Sequence, residues 1–448
     1  MARNILQMAL PMTVAQLINI LYNIVDRMYL GRLPGHLSLT GLGLCLPIIS
    51  ILMGFANLCG MGGAPLCSIH RGKGENEEAE RILGNSFALL LLFGAGLTAL
   101  GLAFRRPILY LFGASDLTFP YANDYLTIYL LGTLFVMIGL GMNPFINAQG
   151  FSRMGMMTVA PGAAVNIVLD PIFIFALDMG VRGAALATGL AQATSTAVFV
   201  VYFLTHRYPL RFGRFKPDPG AYRRIIPLGT ADGLSELSNG MVIFLFNHII
   251  QRVIGPDALV SYTIISYVNT LVLNSVIGIA HGIQPLCSYH LGAEERPVCH
   301  KFLTYGIRLA ACFAAGFFVL CQVLAGAVVG LFLQPDSALF ASSVSALRLY
   351  SFAFLFVGFN VVISGFFTAM EHPIPSLTIS FGRGLVLISG CLVALAFLFG
   401  SNGIWLSPLV SESLCLLITL FFLIRYFRRV RREASRERDG IPDARPLD

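Results

Sequence analysis

Two carboxylates, an amide and a hydroxyl stand inside segments that are otherwise apolar over membrane length: Asp26, Asn166, Asp170 and Thr188. An Asp well inside a spanning helix costs roughly 2.5–3.5 kcal/mol on insertion scales, so such a residue faces a protein or water-lined interior and serves ion or proton movement. Asn166 and Asp170 are four apart, hence on one helix face one turn above the other. Pro171 follows at once, removing its own amide from the helix ladder and freeing the carbonyl near Ile167 as an extra ligand. Oxygens of these kinds suit either of two ions. Na⁺ would find hard ligands, and a proton would be shared because two close carboxylates in low dielectric resist joint ionisation. The plainer alternative is that each Asp caps a helix end or pairs with Arg27 or Arg182.

The elements that must hold these groups follow from composition. Of 448 residues, 56% are hydrophobic and 12% charged, and mean hydropathy is +0.76, values that exclude a single soluble domain. Apolar runs of about 20 residues recur between short polar breaks, the length an α-helix needs to cross a hydrocarbon core. No strand alternation appears, which argues against a β-barrel. The expected spans are about 5–30, 39–62, 82–104, 122–146, 158–177 and 183–205, then about 224–250, 259–285, 302–327, 345–369, 376–399 and 403–424. The fold class is therefore an all-α polytopic membrane protein with twelve transmembrane helices. Loops after even-numbered helices own Arg71, Lys73, Arg81, Arg296 and Lys301, the linker and the arginine-rich tail. The excess of basic residues predicts an inner-membrane protein with both termini cytoplasmic. Membrane lipid is then a partner and nucleic acid is not, despite a net charge of +7. The nine cysteines fall mostly in apolar runs without paired spacing, implying neither disulfide nor metal. Arg71–Arg81 lacks the ending of a phosphate-binding loop, so no ATP-driven pump or other cofactor is expected.

The chain divides into a six-helix lobe at 1–205, a linker at 206–223, a second six-helix lobe at 224–424 and a basic tail at 425–448. The lobes repeat at a constant shift of 220 residues: Pro65-Leu66-Cys67-Ser68 recurs as Pro285-Leu286-Cys287-Ser288, and Gly183 falls on Gly403. An even number of spans per lobe makes the repeat parallel, with a central cavity between the lobes. Asp26, Asn166 and Asp170 become Phe246, Val386 and Gly390 at that shift, so the oxygen cluster belongs to the first lobe alone. The second lobe carries Asp232 and Glu236 one turn apart, Arg383, and Glu412. Arg383 neutralising a carboxylate is the plain account; the functional one is that Glu236 or Glu412 faces the cavity and attracts cationic substrates.

The stretch from Tyr22-Asn-Ile-Val-Asp26 to Gly31-Arg32, the Gly-x-x-Pro285-Leu…Gly292 turn and Asn166-Ile-Val-Leu-Asp170-Pro171 together resemble the multidrug and toxic compound extrusion (MATE) family, over nearly the whole chain except the tail. The similarity is greatest to the bacterial branch with an ion site in the N-terminal lobe. It implies a secondary antiporter that exports organic, often cationic, small molecules in exchange for H⁺ or Na⁺. With no nucleophile–base or metal group at one depth, no enzyme is expected, and a monomer is the expected state. Asp26, Asn166, Asp170 and Thr188 match the branch's cation-site positions, Pro11 its helix-1 hinge and, less closely, Tyr125 a further position. Glu236 falls where another branch places a carboxylate, whose second acid has no counterpart near Val357. A flippase for lipid-linked saccharides, from the same wider superfamily, is the alternative. It would need a more cationic cavity.

Overall fold

In the computed structural model the described residues are 2–30, 37–205, 210 and 216–438. Gly31, Arg32, most of the linker (206–209 and 211–215), residues 439–448 of the tail and the side chain of Arg27 lie outside them. No strand occurs among the described residues. The first six helices are α1 (Ala2–Leu30), α2 (Leu37–Gly72), α3 (Asn76–Leu111), α4 (Phe119–Ala148), α5 (Ser152–Pro171) and α6 (Gly180–Thr205), with a π-helical turn, Ile172–Ala176, extending α5. The second set is α7 (Pro219–Val253), α8 (Ala258–Gly292), α9 (Arg296–Gly330), α10 (Phe340–Ser351), α11 (Phe354–Ala369), α12 (Pro373–Phe381) and α13 (Ile388–Arg438), with a second π-helical segment, Gly382–Leu387, between the last two.

Among the described residues, thirteen helices make twelve crossings. The pair α10 and α11 is one crossing bent by 40°, and α13 reverses at Gly400, whose φ of 58° is open to glycine. Gly180, 220 positions earlier, turns the chain between α5 and α6 with a φ of 53°. Most helix starts and ends obey the same shift to within one residue, and α2 and α8 end on Gly72 and Gly292. The polar links repeat too. His70 meets Glu75 at 2.6 Å and His290 meets Glu295 at 2.6 Å, while the Ser68 and Ser288 hydroxyls donate to the Ala148 and Ala369 carbonyls.

Two sequence expectations change. Pro65–Gly72 and Pro285–Gly292 are not turns; they form the final two turns of α2 and α8. Helices also outlast their apolar runs: 35 residues of helix span about 50 Å at 1.5 Å per residue, well beyond a 30 Å hydrocarbon layer, so the charged ends stand in the aqueous layers.

The two lobes meet on one side of the membrane, the basic face that carries Arg71, Lys73 and Arg224. There α2 crosses α7 at backbone contact. A Cβ on Gly229 would strike the Leu58 carbonyl, and one on Gly62 would strike that of Ile225. Small residues permit this approach. α1 crosses α8 in the same way, Ala9 and Thr13 lying against Gly282 and Gly278. One core cluster accordingly joins Leu66, Cys67 and Leu83 to Ile225 and Leu228, and another joins Ala9 to Ile279 and Phe366. Polar contacts close the seam: Arg224 reaches His70 at 3.2 Å and Glu371 at 2.7 Å, and Arg71 lies over the Tyr289 ring. Toward the opposite face the clusters stay within single lobes.

Candidate functional site: an acidic cavity between the lobes

Above that seam lies a cavity of about 1570 Å³. It extends from Phe112, Asn247 and Tyr267 near the opposite face to Pro65, Gln284 and Thr368 just above the seam, with walls from both lobes. Asp26, Asn166 and Thr188 line it on one side, Asp232, Glu236 and Arg383 on the other.

In the first lobe, α1, α5 and α6 deliver the predicted cluster to one place. Asp26 is 8% exposed, Asn166 1% and Asp170 0%. The Asn166 Nδ2 donates to Asp170 Oδ1 at 3.4 Å and lies 3.5 Å from the Thr188 hydroxyl. The Asp26 and Asp170 carboxyls lie within electrostatic reach of each other. The buried Asn166 Oδ1 and Asp170 Oδ2 accept no hydrogen bond among the described residues. Such oxygens are what a proton or a hard cation would engage, because an unsatisfied buried acceptor is costly. Tyr125, 3% exposed on α4, lies within electrostatic reach of both carboxyls. Arg182 is not their partner; it bonds Asp124 at 2.9 Å. The local fold explains the depth of Asp170. Pro171 ends the regular ladder, and the chain widens into the π turn instead of stopping. Pro11 sits inside a continuous α1 between Ala9 and Thr13, the residues that touch α8.

The second lobe divides its charges. Arg383 Nη1 donates to Glu412 Oε1 at 3.2 Å, Asn360 donates to Glu412 Oε2 at 2.8 Å, and the Thr419 hydroxyl donates to Asn360 Oδ1. Glu412 is thereby satisfied behind the wall. Asp232 and Glu236 lie at the cavity surface and have no hydrogen bond or ion pair among the described residues. His248 is exposed and stacked on Phe244, whereas His281 lines the cavity.

Sequence reasoning passed over Asn143 and Asn147 on α4. Asn143 donates to the Gly155 carbonyl at 2.8 Å and Thr158 at 2.9 Å, and Asn147 donates to Asn143. The signal was there: two amides four apart in an apolar span, the same pattern as Asn166 and Asp170. Tyr129, stacked on Tyr125 in the cavity wall, carried no comparable sign.

A duplicated helical membrane protein whose halves enclose one acid-lined chamber, sealed at one face, has the architecture of a transporter. The chain belongs to the MatE family, whose model matches residues 11–172 and 234–393, one segment in each lobe. It is 26% identical over 417 residues to the multidrug export protein MepA of Staphylococcus haemolyticus (strain JCSC1435), covering 93% of this chain and 91% of that one. MepA of Staphylococcus aureus (strain MRSA252) is 25% identical over 429 residues, covering 94% and 93%. The fold is that of a multidrug resistance MATE family transporter of the MOP superfamily in an outward-facing conformation, with a TM-score of 0.90 at 21% identity over 96% of this chain and 97% of the other. A MOP superfamily transporter from Pyrococcus furiosus Vc1 (DSM3638) superposes with a TM-score of 0.88 at 23% identity over 95% of each chain.

Proposed function

We propose that this protein is a secondary antiporter that exports organic, often cationic, small molecules in exchange for H⁺ or Na⁺. The observation that carries the reading is the convergence of Asp26, Asn166 and Thr188 in the wall of the inter-lobe cavity, with Asp170 buried behind them and bonded to Asn166. The relatives' export of multiple drugs agrees with it. The basic face is cytoplasmic by the positive-inside rule. Both ends of the described chain lie there: the Ser152 hydroxyl donates to the Gln7 carbonyl, and Arg296 pairs with Glu433 of α13. The protein then resides in the inner membrane with its cavity open outward.

In this state H⁺ or Na⁺ reaches the Asp26–Asp170 pair from outside and neutralises it. α1 bends at Pro11, substrate leaves, and the seam with α8 is disturbed through Ala9 and Thr13. The lobes then rock to expose the cavity inward, where the ion is released and substrate reloads. Ion and substrate affinities are reciprocally linked. A flippase for pyrophosphate-linked lipids would need a cationic chamber; Asp26, Asp232 and Glu236 against Arg383 make this one acidic.

The test is efflux of a fluorescent organic cation from vesicles holding purified protein, under separate proton and sodium gradients. Asp26→Asn and Asp170→Asn should each abolish gradient-driven efflux while sparing cation binding. Undiminished coupled transport by either variant removes that residue from the mechanism.

A further inference from the structure

We propose that Arg383 is the carboxylate-recognition point in the cavity, the residue that holds the acidic group of cargo bearing both charges. The inference rests on the export reading above. Arg383 is the one lysine or arginine in the cavity lining among the described residues. It is held in the π-helical segment Gly382–Leu387, where the widened turn displaces a side chain from the regular helical face. Such segments recur at functional sites.

Its pairing is one-handed. Only Nη1 is engaged, by Glu412 Oε1, and Nε and Nη2 have no hydrogen-bond partner among the described residues. A guanidinium offers five donors in a planar fork matched to a carboxylate. Glu412 itself is bonded by Asn360 as well, so it is fixed in place and in turn fixes the guanidinium. A charge meant only to neutralise Glu412 would be hidden with it. Arg383 is instead 17% exposed in its side chain and borders the cavity, while Glu412, at 11%, does not.

The other half of the recognition is on α7. Asp232 and Glu236 line the same lobe's wall, one turn apart, and neither pairs with Arg383 among the described residues. The π segment packs directly on α7: a Cβ on Gly384 would lie 3.7 Å from that of Ser238. The wall thus offers separate negative and positive points rather than an internally cancelled pair. A molecule with an ammonium at one end and a carboxylate at the other matches both.

Tetramethylrhodamine, which carries a free carboxylate, and its methyl ester, which does not, form a matched pair of probes. Their affinities for the full-length protein in lipid nanodiscs are read by fluorescence polarisation. Arg383→Gln combined with Glu412→Gln removes the fork without stranding a buried charge. It should weaken the carboxylate dye by about 10-fold or more, the loss expected for a charge-assisted hydrogen bond, and leave the ester unchanged. Arg383→Lys, which keeps the charge but not the fork, should weaken the carboxylate dye by a smaller factor and serves if the double variant does not fold. Equal weakening of both dyes, or of neither, overturns the assignment and leaves cation export standing. If the unaltered protein binds the ester but not the carboxylate dye, the assignment is likewise overturned and cation export stands.

Discussion

Asn166 is the residue on which the proposed ion site turns. Its amide nitrogen is shared between Asp170 and Thr188 at long distances of 3.4 and 3.5 Å, so its oxygen is not locked to protein and is available to an ion. Asn166→Leu should therefore raise the H⁺ or Na⁺ concentration for half-maximal efflux by about 10-fold, the equivalent of one hydrogen bond to a charged group. Cargo affinity in the absence of a gradient should hold. A titration of efflux against external ion checks it, and an unshifted midpoint would show Asn166 to be only structural. Glu412 makes a contrasting case. Glu412→Gln alone leaves Arg383, which keeps its access to the cavity, without its carboxylate and should cost about 1.5–3 kcal/mol, the worth of a hydrogen bond to a charged group. The double change with Arg383→Gln should recover most of it, read as thermal unfolding in detergent.

At the scale of elements, the basic-face seam keeps the two lobes closed on each other. α2 and α7 touch through Gly62 and Gly229 with backbone against backbone, and a methyl at either has nowhere to go. Gly229→Ala should separate the helices and lower stability by about 1–3 kcal/mol, the range for overpacking. Between the glycines and the basic face, Arg224 ties His70 of α2 to Glu371 in the connection after α11. His70 in turn bonds Glu75, and that bond holds the Glu75 carboxyl below the usual glutamate range. Because its folded value is depressed, the contact contributes above the ordinary glutamate value and fades as pH falls through the lowered one. Arg224→Ala should unfasten the lobes. A cysteine placed at Gln284, at the cavity floor, should then react faster with a membrane-impermeant maleimide added from the basic face. An unchanged rate would mean that the glycine crossings alone keep the floor shut.

For the whole molecule, two interlocked lobes make the covalent link between them secondary. The cores that join them mix residues of α2 and α3 with α7, and of α1 with α8 and α11. Residues 1–210 and 211–448, expressed together as separate chains, should co-purify through a tag on one half. Recovery of the tagged half alone would show that the shared cores do not suffice for assembly. The same geometry constrains the proposed cargo route: a chamber closed by close helix crossings at one face can load from that face only when both crossings, α2 with α7 and α1 with α8, loosen together. The bend at Pro11 proposed above, in a helix that lies on α8 at Ala9 and Thr13, would therefore act on both lobes.

The periodic apolar runs, the placement of arginines and the 220-residue repeat determined the twelve crossings, because lipid forces every backbone polar group into a helix and makes each span visible as composition. Rare acids in those spans marked Asp26 and Asp170 for the same reason. What composition cannot carry is which side chains meet across helices. That Arg383 turns to Glu412 and leaves Asp232 and Glu236 at the cavity surface, that Arg182 pairs with Asp124, and that α2 and α8 continue as helices through Pro65 and Pro285 depend on crossing angles and on a π turn. Those are settled by packing between segments far apart in the chain, where no local pattern records the outcome.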